Sequence, residues 1–289
     1  MSIVTAIITT HKRNHEIVER ALKSVIAQTY HVEDVIIVDD SPSDFEQRTA
    51  VKSMAEKYKN VRYIAHDKCQ GACAARNTGI SASRGEFVAF LDDDDEWKPE
   101  KIEKQLEKFK DDKIALVYCG AEVFNDADGS INYDKTDYFR GMVYEKLILN
   151  NFIGSTSYPL IRKKALIDVG GFDVLMQSAQ DYDLWLRIGQ KYEVDYVPEA
   201  LALYHVHPGV RISTNPAKRI NGLERLNTKN IDFIKKNRIA RYYRYIKITP
   251  FYSANKQMAK ALRVWLYCVC LRPLNNKENL RYFKSIISR

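Results

Sequence analysis

The apolar run Phe87-Val88-Ala89-Phe90-Leu91 empties directly into five consecutive acids, Asp92 to Glu96, with Trp97 behind them. A run of that length and makeup reads as a buried strand. Adjacent carboxylates repel one another, and at a strand end they are partly desolvated, so something positive has to compensate. A hard divalent cation that also carries phosphate oxygens does so with oxygen ligands alone. Acids also cap helices, but Pro99 suits the first helical position, which makes Lys98 the cap and leaves Asp92 to Asp95 upstream of that task. The run is read as a cation and phosphate site at the end of a strand.

Two earlier strands end in the same manner. Ile3 to Ile8 stops at Thr9-Thr10-His11, and Val35 to Val38 stops at Asp39-Asp40-Ser41-Pro42. Between them Ile17, Ala21, Leu22, Val25 and Ile26 share one helical face behind Asn14 as cap. A charged helix over 44–58, a strand over 61–65, a helix over 70–83 opened by Gly71, a helix over 99–109 and a strand over 115–118 follow. This alternation with continuous apolar strands predicts an α/β fold: a Rossmann-like, mainly parallel sheet flanked by helices. In such sheets ligands bind outside the carboxyl ends of the strands, where these polar residues converge. A dinucleotide-binding dehydrogenase needs a glycine-rich turn after its first strand, and residues 9–14 contain no glycine.

Beyond Asn125 the pattern loosens into turn-forming residues, with a short helix over 142–149. A strand over 157–161 and a helix over 163–169, closed by Gly170-Gly171, come next. After a loop to Ala179, a helix over 181–192, an extended stretch over 194–204 and a glycine-containing loop over 205–214 are expected. The chain divides at that point, into a catalytic domain over 1–214 and a basic helical extension over 215–289. From Pro216 onward 18 Lys and Arg face only Glu224, Asp232 and Glu278, a surplus of 15, which leaves the first 215 residues at −7 of the net +8. Cation chemistry in front and attraction to an anionic surface behind is the division of labour this implies.

At 289 residues and 45% hydrophobic content the chain can bury a full core. Met1-Ser2 leads straight into a strand, so no secretory leader is expected, and the apolar run Val264 to Leu271 is far short of the roughly 20 residues of a membrane span. Five cysteines without paired spacing argue for a reducing cytoplasm.

Taken together, Ile7-Ile8-Thr9-Thr10, Ile37-Val38-Asp39-Asp40-Ser41, Ala75-Arg76-Asn77-Thr78-Gly79, Phe90 to Asp95 with Trp97, Gly170-Gly171-Phe172-Asp173 and Gln180-Asp181-Tyr182-Asp183-Leu184-Trp185 resemble a family-2 glycosyltransferase of the GT-A fold, over residues 3–214. The resemblance implies a nucleotide-sugar donor, UDP-linked by preference, a divalent metal (Mn²⁺ or Mg²⁺), and transfer with inversion to a hydroxyl of a glycan acceptor. Asp39 would accept a hydrogen bond from the base, Thr9 and Thr10 would lie along base and ribose, and Arg76 would meet the nucleotide or its phosphates. Asp92-Asp93-Asp94 would be the family's Asp-x-Asp motif: Asp94 binds the metal, Asp92 or Asp93 takes ribose hydroxyls or metal-bound water, and the run of four leaves Asp95 as an alternative register. Asp181 would be the general base, with Gln180 standing where many relatives carry Glu; Asp183 could exchange roles with it, though its spacing reads as that of a helix-face residue. His205 and His207 point to opposite faces of an extended segment, and His207, before Pro208-Gly209, is the one assigned to metal or phosphate, with Arg211 assisting.

In the tail, Leu262, Val264, Trp265, Leu266, Tyr267, Val269 and Leu271 lie among Lys256, Lys260, Arg263 and Arg272. Such a stretch suits an anionic membrane surface, or else packs on the catalytic domain. A polyprenyl-diphosphate-linked acceptor for a surface polysaccharide and a location on the inner face of the plasma membrane follow from the first reading. No nucleic-acid partner is expected, since no binding motif accompanies the charge. The rival reading is a non-catalytic nucleotide-sugar-binding partner subunit.

Overall fold

The β-branched runs pair side by side. In the computed structural model, which describes residues 3–133, 137–206 and 215–288, β1 (Val4–Thr10) leads through α1 (His15–Ile26) to β2 (Asp34–Asp39), through α2 (Arg48–Ala55) to β3 (Val61–Ala65), and through α3 (Ala72–Ala82) to β4 (Phe87–Asp92). These strands lie in the order β3-β2-β1-β4, all parallel. The chain thus steps outward from β1, then returns to its other side. Right-handed crossovers place α1 and α2 on one face and α3 on the other. On the first face Val18, Leu22, Val25, Val51 and Met54 bury themselves with Ile8, Ile37 and Leu91, each side chain contributing about 1.5–3 kcal/mol. On the second, Gly79 lets α3 press onto β1: a Cβ there would lie 2.5 Å from Ile7 Cγ2. The change of direction between β1 and β4 is the switch point at which such sheets open a crevice.

After β4 come β5 (Glu96–Trp97), α4 (Lys101–Leu106), β6 (Ile114–Asn125), β7 (Ile131–Tyr133), α5 (Tyr144–Leu147), β8 (Leu160–Arg162), α6 (Lys163–Asp168), α7 (Gln180–Lys191) and β9 (Glu193–Val206). The sheet continues β4-β8-β6-β9-β5, with β7 as a hairpin partner of β6. Here β8 runs antiparallel to β4 and β6, β9 parallel to β6, and β5 antiparallel to β9.

Three expectations need correction. Lys98 does not cap a helix: its N–H donates to Leu201 O, Glu96 and Trp97 pair with β9, and α4 begins only at Lys101. Trp97 is buried, its indole donating to Ser157 O and its backbone to Ser24 Oγ, so tertiary pairing overrides the local helix signal of Pro99. The helix expected over 44–58 shrinks to Arg48–Ala55, because Phe45 N and Arg48 N donate to Pro42 O and Phe45 O in successive turns. The strand expected over 115–118 runs on to Asn125, drawn out by its pairing with β9.

The basic tail is helical, as α8 (Pro216–Lys229), α9 (Ile231–Lys236), α10 (Arg238–Ile246), α11 (Thr249–Ala254), α12 (Met258–Leu271) and α13 (Asn276–Ile287). Among the described residues no helix is long and apolar enough to cross a membrane. By contacts the chain forms two compact units. One comprises Met1–Tyr144, Phe152–Val174 and Leu184–Pro208; the other comprises Glu145–Asn151, Leu175–Asp183 and Gly209–Arg289. The second has its own core, with Ile220, Leu223, Ile248, Tyr252, Ala261 and Ile286 in one cluster and Tyr242, Ile246, Cys268 and Tyr282 in another.

Candidate active site

Strand register assembles the first part of the site. Thr10 lies opposite Asp39 and Thr9 opposite Asp92, so the ends of β2, β1 and β4 present these residues side by side. Asp39 is buried; its Oδ1 accepts from Ser41 N at 2.8 Å and its Oδ2 from the Tyr63 hydroxyl at 2.7 Å. Burial, reinforced by Asp39, pushes the Tyr63 hydroxyl above its ordinary pKa and keeps it a donor. Asp40 takes four donors: His66 Nδ1, Gln70 N, Cys69 Sγ and Gly71 N. Burial alone would raise its pKa, but those bonds outweigh it and hold the carboxyl below the usual range. His11, Asp40 and Cys69 bring ligand atoms within 4.8 Å of one another, but the Asp40 oxygens are already committed.

The acidic run separates by exposure. The Asp93 side chain is 7% exposed, whereas those of Asp92 and Asp94 are 29% and 25% exposed. Asp95 is fully buried, its oxygens taken by Ser157 Oγ at 2.6 Å and His205 N at 3.2 Å. The outward carboxylates are therefore Asp92 and Asp94. Burial raises the Asp93 pKa to about 6, despite Arg13 beside it. Burial, with the charges of Asp92 and Asp94, likewise drives Asp95 upward.

Compensating charge comes from the protein itself, which the sequence reading did not foresee. Arg13 bridges Asp93 and Asp94 at 2.9 and 3.0 Å, Arg76 meets Asp92 at 2.7 Å, and Arg20 reaches Asp94 O at 2.8 Å and Glu96 at 3.3 Å. Repulsion within the run is thus not by itself a reason for a metal. What remains in favour of one is the chemistry of the two outward carboxylates, hard oxygen donors suited to Mn²⁺ or Mg²⁺.

Two motifs far apart in sequence lock behind this edge. Asn77 Nδ2 donates to Phe172 O and its Oδ1 accepts from Phe172 N, both at 2.8 Å. Gly171 makes that approach possible: its φ is +64°, and a Cβ would fall 2.6 Å from Asn77 Oδ1. Phe172 then packs edge-on against Phe90 at 5.2 Å and lies under the Arg76 guanidinium at 5.3 Å. Arg76 is held from below while it meets Asp92.

The remaining expected residues come from later in the chain. Asp181 belongs to the second unit, on the first turn of α7, and is half-buried. The residue two before it, Ala179, has φ +54°, a conformation that is strained for any residue with a side chain. Asp183 is 1% exposed and paired with Lys229 at 2.5 Å, a structural tie. His205 is buried between Glu96 at 3.0 Å and Asp126 at 2.8 Å; burial would lower its pKa, but the two carboxylates raise it. His207 and Arg211 lie outside the described residues.

Sequence reasoning missed Arg13, Arg20, Tyr63, Thr156 and Ser157. Thr156 Oγ1 donates to both Asp92 oxygens at 3.0 and 3.1 Å. Arg13 carried one signal, its place in the loop directly after a strand ending in threonines. The others arrive from a helix face, the neighbouring strand β3 and a distant loop and had none.

The glycosyl transferase family 2 model matches residues 5–170. WcaA of Escherichia coli K12, whose name assigns it to colanic acid biosynthesis as a glycosyl transferase, is 30% identical over 269 residues, 90% of each chain. The Escherichia coli UDP-Glc:α-D-GlcNAc-diphosphoundecaprenol β-1,3-glucosyltransferase WfgD is 30% identical over 186 residues, 64% of this chain and 69% of its own. In fold, the crystal structure of Staphylococcus aureus TarS 1–349 superposes with a TM-score of 0.68 at 15% identity, covering 99% of this chain and 90% of that one. The α/β architecture with its flanking helices is thus GT-A-like, and with more than half of its length matched the chain is a glycosyltransferase belonging to glycosyl transferase family 2.

Proposed function

We propose that the protein is an inverting, metal-dependent transferase that moves a sugar from a UDP-sugar to a hydroxyl of a lipid-linked glycan, in surface polysaccharide synthesis. The observation that carries this reading is the alignment of Asp39, Thr10, Thr9 and Asp92 across the ends of β2, β1 and β4, with Asp92 and Asp94 turned outward. The names of two relatives, one of colanic acid biosynthesis and one acting on a diphosphoundecaprenol-linked sugar, support the substrate class.

In this reading Asp39, Thr9 and Thr10 receive the base and ribose, Asp92 and Asp93 complete the nucleotide site, and Arg76 serves it through Asp92. Asp94 would hold Mn²⁺ or Mg²⁺, with His207 as a second ligand. A cation bound there would supply Lewis-acid neutralisation of the departing diphosphate. Asp181 accepts the proton of the attacking hydroxyl. Residues 1–214 form the catalytic domain and 215–289 its extension. That extension exposes Leu266, Tyr267 and Leu274 among its basic residues, chemistry suited to an anionic membrane surface on the cytoplasmic side.

Thermal-shift titration with UDP-, GDP- and dTDP-sugars, with and without Mn²⁺, tests the reading. UDP-sugars are expected to stabilise the protein only with the ion, and Asp94→Asn to abolish that ion-dependent stabilisation. Equal stabilisation without the ion would overturn it.

A further inference from the structure

Among the described residues, the interior of the second unit holds an arginine with no carboxylate partner. Arg244, on α10, is 1% exposed. Its Nε donates to Asn227 Oδ1 at 2.8 Å, its Nη1 donates to the Tyr182 hydroxyl at 3.1 Å, and its guanidinium carbon lies 5.1 Å from the centre of the Tyr182 ring. None of these partners is a carboxylate. Among the described residues Arg244 Nη2 has no hydrogen-bond partner, and neither has Asn227 Nδ2; both atoms are buried. Because Asn227 Oδ1 receives the arginine N–H, its amide cannot flip to relieve the second orphan.

Two further cations flank the pair. Among the described residues Lys247 gives its ammonium to neutral oxygens, Leu149 O at 2.7 Å and Asn150 Oδ1 at 2.9 Å. Burial, with repulsion from Arg244, holds its pKa down to about 8. Arg219 stacks on Phe251 at 5.1 Å, and its pKa is likewise lowered by burial and by Arg244, with Asp181 acting the other way. Both side chains are half-buried, so the cationic cluster extends from the core to the surface.

Buried charges are normally paired, and buried donors normally bonded. Here, among the described residues, a guanidinium N–H and an amide N–H remain without acceptors, beside two further cations, Lys247 bonded to neutral oxygens and Arg219 stacked on Phe251. A forked guanidinium beside an ammonium is the donor set that recognises phosphate oxygens. We propose that Arg244, Asn227, Arg219 and Lys247 form a diphosphate-binding site that takes the anionic head of the acceptor. The second half of that statement rests on the transferase reading. Tyr182, which Arg244 covers, follows the proposed base Asp181 in the chain. In an acceptor whose sugar is joined directly to diphosphate, the anion and the attacking hydroxyl are separated by a single sugar ring. Gripping the anion would therefore bring the hydroxyl into the neighbourhood of the base.

The test uses the full chain in metal-free buffer containing a chelator, with inorganic pyrophosphate, farnesyl diphosphate and anionic phospholipid vesicles titrated separately by calorimetry. Pyrophosphate is expected to bind the wild type and Asp94→Asn alike, while Arg219→Gln/Lys247→Gln, at half-buried positions, weakens it about tenfold or more. Arg244→Lys, which keeps the charge but not the fork, should weaken it as well, with the folded state of each variant checked by circular dichroism. Tighter binding of farnesyl diphosphate than of pyrophosphate assigns the site to a prenyl-linked acceptor. Equal binding keeps the diphosphate site and makes its source a free anion. The proposal is overturned if neither diphosphate binds, if only vesicles bind, or if Asp94→Asn removes the binding that the Arg219/Lys247 variant retains. None of these readings depends on nucleotide-sugar binding, so the donor site and this site can fail separately.

Discussion

Asp181 and Lys101 are two titratable side chains with opposite prospects. Replacing Asp181 by Asn keeps its shape and removes its basicity. Transfer is expected to fall by about 10²–10⁴, with donor affinity by calorimetry within about twofold; a variant retaining transfer within about tenfold of wild type would assign the proton to another group. Lys101 is fully buried, with its Nζ 4.4 Å from the Trp97 ring and 2.8 Å from Gln105 Oε1. Burial lowers its pKa from 10.5 to about 8. Below pH 8 both folded and unfolded chains carry the proton, and the full cost of burying the charge is present. Between pH 8 and 10.5 the unfolded chain holds the proton that the native one has released, so stability from this group rises with pH. Lys101→Met is expected to gain about 1–2 kcal/mol at pH 7 after the lost Gln105 bond and ring contact are counted. It should also erase that rise, as read by urea unfolding at pH 7 and pH 10. A variant less stable at pH 7 would mean that the contacts outweigh the burial.

At the scale of elements, turns carry the strain and the specificity. Gly171→Ala forces a Cβ into Asn77 and a side chain into the left-handed region, so unfolding free energy should drop by about 2–3 kcal/mol, seen as a lower urea midpoint. Lys12 sits at φ +50° between Thr10 and Arg13. Lys12→Gly should relieve that strain and raise stability by about 1 kcal/mol, read as a higher urea midpoint; an unchanged or lower midpoint would mean that the added unfolded-chain entropy outweighs the relief. The strands β1, β2, β3 and β4 were legible because each is a contiguous apolar run with punctuation at its ends. β5 and β7 were not, since two or three residues carry no period and exist only through partners distant in the chain. The carboxyl-edge positions of Thr9, Thr10, Asp39 and Asp92 could be read from where strands stop. Arg13 had only its place after β1 to put it near that edge, and Ser157 could not be read as a partner of the acids, because nothing local announces that a residue 62 positions beyond Asp95 will meet it.

The whole molecule divides its charge. If the basic extension meets an anionic bilayer, the full chain should co-sediment with vesicles containing acidic lipid and not with neutral ones, and the binding should fade as salt is raised. Leu266→Glu, at a 56% exposed position of α12, should weaken it; binding unchanged in that variant would remove α12 from the contact. The second unit also has a consequence for how such a chain can be recombined. It is stitched from a long C-terminal piece and two short segments borrowed from the middle of the chain. Ser178 gives its hydroxyl to Lys218 O, Asp183 grips Lys229, and Gly222 lies so near Ser178 that a Cβ would come within 2.3 Å of its Oγ. A chimera that grafts a foreign C-terminus after residue 214 would inherit the old 175–183 segment with none of its matching surfaces. The C-terminal helices and the peptide that bears Asp181 must therefore be exchanged as one cassette.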